Sequence, residues 1–500
     1  MENYIITLDL GTTNVKIGLY SSELKEISML SLKVQYLNSE NYVEFNPEHY
    51  WKLCKEGIKK IINTSMINPK NIFLISLTGQ AETLILLDSD GKPLRHAISW
   101  MDSRSTIECE FLKKYFGGKE SYVITGLPEL ITTWPITKIL WVKNNEKEIF
   151  NKTDKFLLLK DYIIFKFTGR FFCDYSIAGF SYYFNIQKKE YWKEILDFVG
   201  VKTEQLPELI NPVAIIGTLK DDVIKDLNLS EDIQINVGIL DHFAGMVGVG
   251  NIKNGLLSET TGTALALAVL VQKPDEHFFP IPCHCGPFNS YVLLPACESG
   301  GICLEWFKDN FYPRDSFKNI DLEVEKNLKP TMDKQLIFLP YIIGTNSPEF
   351  NQNAKGIFYG LKIQHKKIDL AISILEGLSY LLRKNIEFLE EKGIRVDRII
   401  SLGGGAKSKI WNQIKADIIH RNIYLPIYQE ATSFGAAILG ALVSKKIEKI
   451  YDAQQFIDKY IEFTTVTPNN AYRQYYNNGF YQFTEIYRNL EKLFNYTSNQ

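Results

Sequence analysis

Two stretches of this sequence share one pattern: an apolar strand, a Gly-Thr corner and a second strand. The first is YIITLDLGTTNVKIGLY, over Tyr4–Tyr20, and the second is GLLSETTGTALALAVL, over Gly255–Leu270. Aligning Gly11-Thr12 with Gly262-Thr263 superimposes the two predicted β-hairpins, and a longer mixture of predicted helices and strands follows each of them. The pattern therefore predicts an internal duplication, with two related α/β domains that each begin with such a hairpin.

The corner of the first hairpin carries groups that suit a phosphate. Gly11 permits backbone angles that other residues avoid. The backbone N–H groups of Gly11, Thr12 and Thr13 can form an anion-binding concavity, and Asp9 at the mouth can hold Mg²⁺ directly or through water. A tight turn with a solvated Asp9 explains the same residues, and the missing G-x-x-x-x-G-K-[ST] motif excludes a P-loop. Two such hairpins, clasping one polyphosphate from both sides, favour the phosphate interpretation.

Composition excludes several classes of protein. The 500 residues predict two domains, and 45% hydrophobic with 23% charged residues is typical of a soluble globular protein. A net charge of −2 argues against non-specific nucleic-acid binding. The start MENYIITLDL lacks the basic region of a secretory signal, and no apolar run approaches the roughly 18 residues of a membrane span. We therefore expect a cytoplasmic protein with no membrane or nucleic-acid partner.

The seven cysteines are an odd number scattered along the chain, which favours reduced thiols in a cytosol. Cys283-His284-Cys285 is the one cluster of possible metal ligands, but it lacks a second ligand pair at zinc-like spacing. We interpret it as a loop or strand edge near the predicted cleft, and its role stays open.

Two further stretches combine a strand, glycines and a helix. IQINVGILDHFAGMVGVG, over Ile233–Gly250, predicts a strand with Asp241 at the start of a helix whose glycines cost helix propensity, so a close neighbour is expected. The stretch VDRIISLGGGAKSKIWNQIKADI predicts a strand over Arg398–Leu402, three glycines and a helix from about Ser408. Bare backbone before a helix N-terminus suits a flat or anionic ligand. A small-residue helix, Ser433–Leu442, is predicted to pack beneath this turn.

Five motifs occur in a fixed order: DLGTT, GILDHFAGMVGVG, TTGT, SGGICLEWFKDN (Ser299–Asn310) and LGGGAKSKIW. Together they resemble the FGGY family of carbohydrate kinases over roughly residues 4 to 445. The resemblance implies an α/β fold with two actin-like ATPase (ribonuclease H-like) domains and a cleft between them. It implies a sugar-binding domain over 1–250 and a nucleotide-binding domain over 251–500, with a helical tail from about residue 446.

The family's roles carry over one position at a time. Asp241 matches the catalytic base, although an N-cap explains an Asp at that position equally well from local sequence. Asp9 matches the residue that places Mg²⁺. The phosphate loops match Gly11, Thr12, Thr13, Gly262 and Thr263, and the adenosine-binding glycines match Gly404 and Gly405. The residues matching the sugar pocket are Gln80, Ala81, Glu82, Trp100, Asp102, Arg104, Asp241 and His242.

The resemblance implies a cytoplasmic enzyme, expected to be a homodimer, that uses ATP and Mg²⁺ to phosphorylate a hydroxyl of a small sugar or polyol. Ala81-Glu82 stands where xylulokinases carry Met-His and glycerol kinases Arg-Glu. An ionised Glu82 accepts hydrogen bonds from neutral hydroxyls and repels a sugar acid, which favours a ketopentose such as xylulose over gluconate or another polyol. The alternatives from other classes are a regulatory ATP-binding module of actin-like fold and a catalytically inactive sugar-binding protein.

Overall fold

The structure is a computed structural model that describes residues 3–332, 335–427, 430–444 and 461–496. The chain divides into two compact units. Unit 1 comprises the described residues of Met1–Ile252, Val271–Val292 and Gln429–Tyr460, and unit 2 comprises those of Lys253–Leu270, Leu293–Tyr428 and Ile461–Gln500. Unit 1 therefore includes two late segments, whereas the domains predicted from the sequence are continuous. The predicted start of the tail, near residue 446, lies outside the described residues.

The strands up to residue 252 are β1 Tyr4–Leu10, β2 Asn14–Ser21, β3 Glu26–Lys33, β4 Leu37–Ser39, β5 Tyr42–Phe45, β6 Ile72–Gly79, β7 Leu84–Leu87, β8 Ala97–Ile98, β9 Lys155–Leu158, β10 Phe172–Asp174, β11 Phe184–Asn185, β12 Glu190–Tyr191, β13 Glu208–Ile210, β14 Ile215–Thr218, β15 Gln234–Asn236 and β16 Ile239–Leu240. The later strands are β17 Gly255–Thr261, β18 Leu265–Val271, β19 Cys283–Cys285, β20 Tyr291–Leu293, β21 Ala296–Cys297, β22 Ile337–Leu339, β23 Ile357–Tyr359, β24 Val396–Leu402, β25 Ile423–Pro426 and β26 Phe463–Val466.

The helices of the described residues are α1 Pro47–Ser65, α2 Thr106–Lys113, α3 Gly118–Thr125, α4 Pro135–Asn145, α5 Lys147–Lys152, α6 Leu159–Thr168, α7 Tyr175–Ala178, α8 Lys193–Val199, α9 Asp221–Leu227, α10 Asp241–Gly248, α11 Ile302–Phe311, α12 Phe317–Asn327, α13 Lys367–Glu391, α14 Lys409–Ile419, α15 Ala431–Val443 and α16 Arg473–Tyr496. None of these helices is both long enough and apolar enough to cross a membrane.

The two units repeat one strand arrangement. In unit 1 the order β14-β15-β6-β1-β2 places β1 antiparallel to β2 and parallel to β6. In unit 2 the order β26-β25-β24-β17-β18 places β17 antiparallel to β18 and parallel to β24. The outer pairs agree as well. β15 runs parallel to β6 and antiparallel to β14, and β25 runs parallel to β24 and antiparallel to β26. Both predicted hairpins and the predicted duplication are confirmed.

The main sheet of unit 1 carries helices on both faces. A Cβ atom added to Gly57 of α1 would lie 2.4 Å from the side chain of Ile17, so α1 packs closely on one face. The next residue on β2, Gly18, faces Ser433 of α15, since its added Cβ would lie 2.5 Å from the Ser433 hydroxyl. Successive strand residues point to opposite faces. The sheet is therefore buried between the two helices, and the side chains of β1 are buried along its whole length.

The glycine-spaced helix α10 has a close neighbour, as expected. It packs against α15, where a Cβ on Gly248 would lie 1.9 Å from the carbonyl oxygen of Ala431. A Cβ on Gly435 would lie 1.8 Å from the carbonyl oxygen of Ala244. The small residues of α15 fit α10, β1 and β6, and its packing beneath the Gly404 turn stays a prediction. Glycine at 248 and 435 thus allows two helix backbones to touch.

We expect Gly248→Ala to lower the free energy of unfolding by about 1–3 kcal/mol, the usual cost of overpacking, despite Ala's better helix propensity. Gly245→Ala on the same helix is the matched control, because its added Cβ would meet only the Thr432 hydroxyl, at 3.3 Å. Urea denaturation of both variants measures the difference. Equal stability of the two variants would contradict the close helix contact.

Candidate functional site

Three strand ends of unit 1 bring the predicted acidic residues together. β1 and β16 both run parallel to β6, and Gly79 is paired with Leu10 on one side and with Leu240 on the other. The carboxyl ends of parallel strands meet at one edge of a sheet, so the residues that follow them are neighbours. These are the corner Gly11-Thr12-Thr13, the segment Gln80-Ala81-Glu82, and Asp241-His242. Asp9 lies at the same edge, one residue before the end of β1.

The hairpin corner is held by side chains from its surroundings. The hydroxyl of Tyr50 donates to the carbonyl of Gly11 at 2.9 Å, and that of Tyr36 donates to the carbonyl of Thr12 at 3.0 Å. The indole N–H of Trp100 donates to Oγ1 of Thr12 at 2.9 Å, which ties a predicted sugar-pocket residue to the corner. Gly11 does not use the conformational freedom that glycine permits, since it is not among the positive-φ residues. It is needed because a Cβ there would lie 2.7 Å from the carbonyl oxygen of Asn14.

The carboxyl groups of Asp9, which is buried, and Asp241, which is half-buried, repel each other. Burial, with the nearby Asp241 as the second cause, raises the pKa of Asp9 to about 8. Burial also raises the pKa of Asp241, although the backbone N–H of His242 donates to its Oδ1 at 2.6 Å. Lys16, opposite Asp9 on β2, opposes the shift, but its ammonium pairs with Glu430 at 2.8 Å. Two carboxyls with too little positive charge nearby are suited to a cation.

Mg²⁺ fits the residues at this edge. Within the described part of the chain, no group donates a hydrogen bond to the buried Oδ1 of Asp9. Nor do the described residues include a cluster of three or more His, Cys, Asp or Glu side chains arranged for a metal. Mg²⁺ characteristically binds through one or two carboxylates and completes its shell with phosphate oxygens and water. Asp9 is the residue that fits this mode of binding.

The segment after β6 is fixed by backbone and side-chain hydrogen bonds. The N–H of Gln80 donates to the carbonyl of Leu10 at 3.1 Å, and its Oε1 accepts from the Thr83 hydroxyl at 2.7 Å. Nε2 of Gln80 is buried and finds no acceptor among the described residues. Ala81 is buried, and Glu82 adopts a left-handed backbone with φ of 62°. Such a conformation in a residue other than glycine is a strained one that often marks a functional site.

A buried lysine that sequence reasoning missed lies behind this segment. Nζ of Lys138 on α4 donates to the carbonyl of Thr133 at 2.7 Å and is 3.5 Å from that of Trp100. Burial lowers its pKa to about 7 against the opposing effect of Glu82. Burial raises the pKa of Glu82 to about 8, with Lys138 opposing and Asp241 adding to the shift. A signal was available: Lys138 is the single charged residue of LITTWPITKILWV, over 130–142.

The remaining predicted pocket residues differ in their surroundings. Nε2 of His242 is buried without a partner among the described residues, and burial lowers the pKa of its ring to about 4. Arg104 and Asp102 form a buried ion pair at 2.6 Å, and Arg104 also binds Glu44 at 2.6 Å. Asp102 and Arg104 thus bind each other, and their contribution to sugar binding stays a prediction. His284 of the Cys-His-Cys cluster stacks on Phe180, with ring centroids 3.8 Å apart.

Unit 2 contains a cavity of about 990 Å³ where nucleotide binding was predicted. The corner Thr261–Thr263, the glycines 404 and 405 and the start of α14 line it together. Gly262 faces open space, because an added Cβ would meet nothing within 4 Å. Gly403 is the glycine that the backbone requires, with φ of 79° and a Cβ position 2.7 Å from the carbonyl of Thr261. Ser408 caps α14 as its predicted start implies.

Two elements support this cavity, one of which the sequence did not indicate. The N–H of Gly301, just before α11, donates to the carbonyl of Gly262 at 2.7 Å, and that of Ile302 donates to the carbonyl of Thr263 at 3.1 Å. Helix α12 contributes one wall, including the partly exposed Phe317. A glycine-rich, partly apolar cavity beside a helix N-terminus suits an adenosine and its phosphates.

Comparison with known proteins agrees with this geometry. Residues 4–248 match the N-terminal domain of the FGGY family of carbohydrate kinases, and residues 250–444 match the C-terminal domain. The chain belongs to the FGGY family of carbohydrate kinases. As an FGGY kinase it is a sugar kinase with ATP as its phosphoryl donor, and the predicted two-domain, actin-like α/β fold is confirmed.

Individual relatives cover nearly the whole FGGY chain. A xylulose kinase of Staphylococcus epidermidis is 30% identical over 99% of this chain and 98% of its own length. A ligand-bound xylulose kinase structure from Lactobacillus acidophilus has a TM-score of 0.90 at 27% identity, and covers 98% of both chains. A gluconate kinase structure from the same organism has a TM-score of 0.89 at 27% identity and the same coverage.

We expect Asp9→Asn to raise the melting temperature of the metal-free protein at pH 7, and to raise it less towards pH 4.5. The folded pKa of Asp9 is raised from 3.8 to about 8, so the folded state holds a proton that the unfolded state releases. Stability is therefore lost as the pH rises from near 4 to about 8, and asparagine removes this contribution. Melting curves in a chelating buffer from pH 4.5 to 8 measure it. If the melting temperatures of the two proteins changed with pH in parallel, the raised pKa of the Asp9 carboxyl would be contradicted.

Proposed function

We propose that this FGGY kinase phosphorylates a neutral ketopentose such as xylulose. The observation that supports the substrate class is the charge of the acceptor site: Asp241 repels both Asp9 and Glu82 and contributes to the raised pKa of each. The nearby Lys138 already contacts backbone carbonyls. A sugar acid would add a negative charge in a buried region, where like charges interact strongly. Relatives named xylulose kinase support the same choice.

Asp241 is proposed as the general base. Its carboxyl lies at the start of α10, and burial raises its pKa towards the range in which a base accepts a proton efficiently near neutral pH. It would take the proton of the attacking sugar hydroxyl as the phosphoryl group is transferred. Phosphoryl transfer otherwise requires positioning and charge neutralisation. Backbone N–H groups of the Gly11 corner in unit 1 would each suit a phosphate oxygen, as would those of the Gly262 corner in unit 2.

Mg²⁺, held through Asp9, would neutralise charge on the phosphates when bound. The cavity of unit 2, with Gly404 and Gly405 at its surface, would hold the adenosine. In this proposal unit 2 binds the nucleotide and unit 1 binds the sugar, as the resemblance of each domain implies.

Sugar recognition is assigned to the segment that follows β6. Glu82 would accept hydrogen bonds from hydroxyls, and the buried Nε2 of Gln80, which has no acceptor among the described residues, would donate one. Gluconate remains the second candidate, because the gluconate kinase structure matches this chain with nearly the same TM-score, 0.89, as the xylulose kinase structure, 0.90. A coupled ADP-release assay over ketoses, alditols and aldonates separates the two. Sugar-stimulated turnover also excludes a regulatory ATP-binding module, which would consume ATP independently of any sugar.

We expect Asp241→Asn to lower kcat by about 10²- to 10⁴-fold, the usual contribution of a general base, and to retain ATP binding. The amide is close in shape but cannot accept the hydroxyl proton. Asp232→Asn is the matched control, because the Asp232 carboxyl is fully exposed on the loop before β15. Its kcat should equal that of the wild type. Steady-state kinetics and calorimetric titration of ATP check both variants. Turnover of Asp241→Asn within a few-fold of the wild type would show that another group is the base.

Replacing Glu82 tests the substrate class. At pH 9, above the pKa of about 8 that burial gives Glu82, we expect Glu82→Gln to lower kcat/KM for xylulose by about 10- to 100-fold, since losing a charged acceptor costs roughly 1.5–3 kcal/mol, with KM for ATP nearly unchanged. The loss on gluconate should be smaller, because the same change removes a repulsive charge. The ratio of kcat/KM values for the two sugars measures this. If Glu82→Gln impaired the KM for ATP as much as the kcat/KM for the sugar, Glu82 would face away from the acceptor site.

Ala81→Arg provides the complementary variant. It would recreate the Arg-Glu pair of glycerol kinases in a position that is now small and buried. We expect it to raise activity on glycerol and to lower activity on five-carbon sugars, since the guanidinium fills the pocket and supplies fixed donors. The same coupled assay measures both substrates.

A further inference from the structure

The backbone that leads to Asp241 is irregular. Between β15 and the two-residue strand β16, Gly238 has φ of 72°, and a Cβ there would lie 2.0 Å from the carbonyl oxygen of Leu77. β16 pairs with β6 through Ile239 and Leu240 alone. A strand this short fixes its last residue weakly through sheet pairing, so the direction of the next residue depends on further contacts.

A buried serine supplies one of these contacts. The N–H of Leu240 donates to Oγ of Ser176 at 3.0 Å. The Ser176 hydroxyl in turn donates its single proton to Oδ1 of Asp174, and the Ser176 N–H donates to the same oxygen at 2.9 Å. Because a hydroxyl has one proton, its donation to Asp174 leaves the lone pairs of Oγ for Leu240. The orientation of this hydrogen-bond chain is therefore determined.

Lys160 closes the network on the other side of Gly238. Its Nζ contacts Oδ2 of Asp174 at 2.5 Å and the carbonyl oxygen of Val237 at 2.5 Å. Lys160, Asp174 and Ser176 are each fully buried. The same three side chains thus hold Val237 and Leu240, the residues on either side of the turn at Gly238.

A buried ion pair is a poor source of stability, because desolvation offsets the attraction and apolar side chains often serve as well. Specifying one geometry is a better-supported use of such a group. A catalytic base also needs that geometry, since a displacement of about 1 Å can cost roughly 10²-fold in rate.

We propose that Ser176, held by Asp174 and Lys160, is a positioning residue that sets the direction of the Asp241 carboxylate through the N–H of Leu240. This inference rests on the proposed role of Asp241 as the base. Ser176 itself needs no contact with sugar, nucleotide or phosphate. Its removal should therefore affect turnover and leave the binding of both substrates unchanged.

Ser176→Ala and Ser181→Ala form a matched pair for the test. Ser181 is also fully buried, and its hydroxyl donates to the carbonyl of Ala178 at 2.6 Å, without contact to Leu240. We expect similar losses of melting temperature in both variants, but a fall in kcat of about tenfold in Ser176→Ala alone, less than the ~10²-fold of a 1 Å displacement. KM for sugar and for ATP should stay within about twofold in both, the mark of a positioning role. Equal kcat values in the two variants would overturn the proposal.

A double-mutant cycle with Asp241→Asn separates this inference from the proposed function. If Ser176 acts through Asp241, Ser176→Ala should cause no further loss of kcat in the Asp241→Asn background. Suppose instead that Asp241→Asn is impaired and that adding Ser176→Ala lowers its kcat by a further tenfold. That result would overturn the positioning role of Ser176 and leave the base assignment standing. Near-normal turnover of Asp241→Asn would overturn the base assignment and the positioning role that rests on it. Ser176→Cys, close in size but a weaker hydrogen-bonding group, is measured alongside in case Ser176→Ala does not fold.

Discussion

Parallel pairing of β6 with both β1 and β16 is the constraint on which the acceptor site depends. It places the residues after three strands, distant in sequence, at one edge of a sheet whose faces are covered by helices. The burial that stabilises this sheet also removes water from Asp9, Glu82 and Asp241. The same packing that makes the fold therefore gives the carboxyl groups their raised pKa values, and with them an affinity for protons and cations.

Much of this could be predicted from local patterns, because local patterns determine strands, turns and caps. The two hairpins, their duplication, the helix start at Ser408 and the position of Asp241 after a strand follow from periodicity and glycine placement. The corner of the first hairpin was predicted correctly as an element, but the contact that requires glycine at position 11 was not. Its glycine is required by the approach of the Asn14 carbonyl, a contact that sequence periodicity does not encode.

What could not be predicted depends on contacts between distant segments. The small residues of α15 indicate close packing, yet nothing in them identifies α10, nearly two hundred residues earlier, as the partner. The wall that α12 forms in the cavity of unit 2 has no signal in its own polar sequence. Lys138 is intermediate: a single charge in an apolar stretch implies burial, but only the fold reveals that it lies behind Glu82.

The contact between α10 and α15 has a consequence for how the protein is made in a cell. Most of the described elements in contact with α10 or the centre of its sheet lie in the first 252 residues; β19 meets α10 through the rings of His284 and Phe243, and α15 spans Ala431–Val443. A ribosome has therefore synthesised most of the chain before the helix that bears the proposed base can meet its glycine-matched neighbour. Until then an apolar face of unit 1 stays open to chaperones and proteases. A chain truncated before residue 431 would lack this helix, so translation errors would yield material for degradation instead of a partly functional kinase.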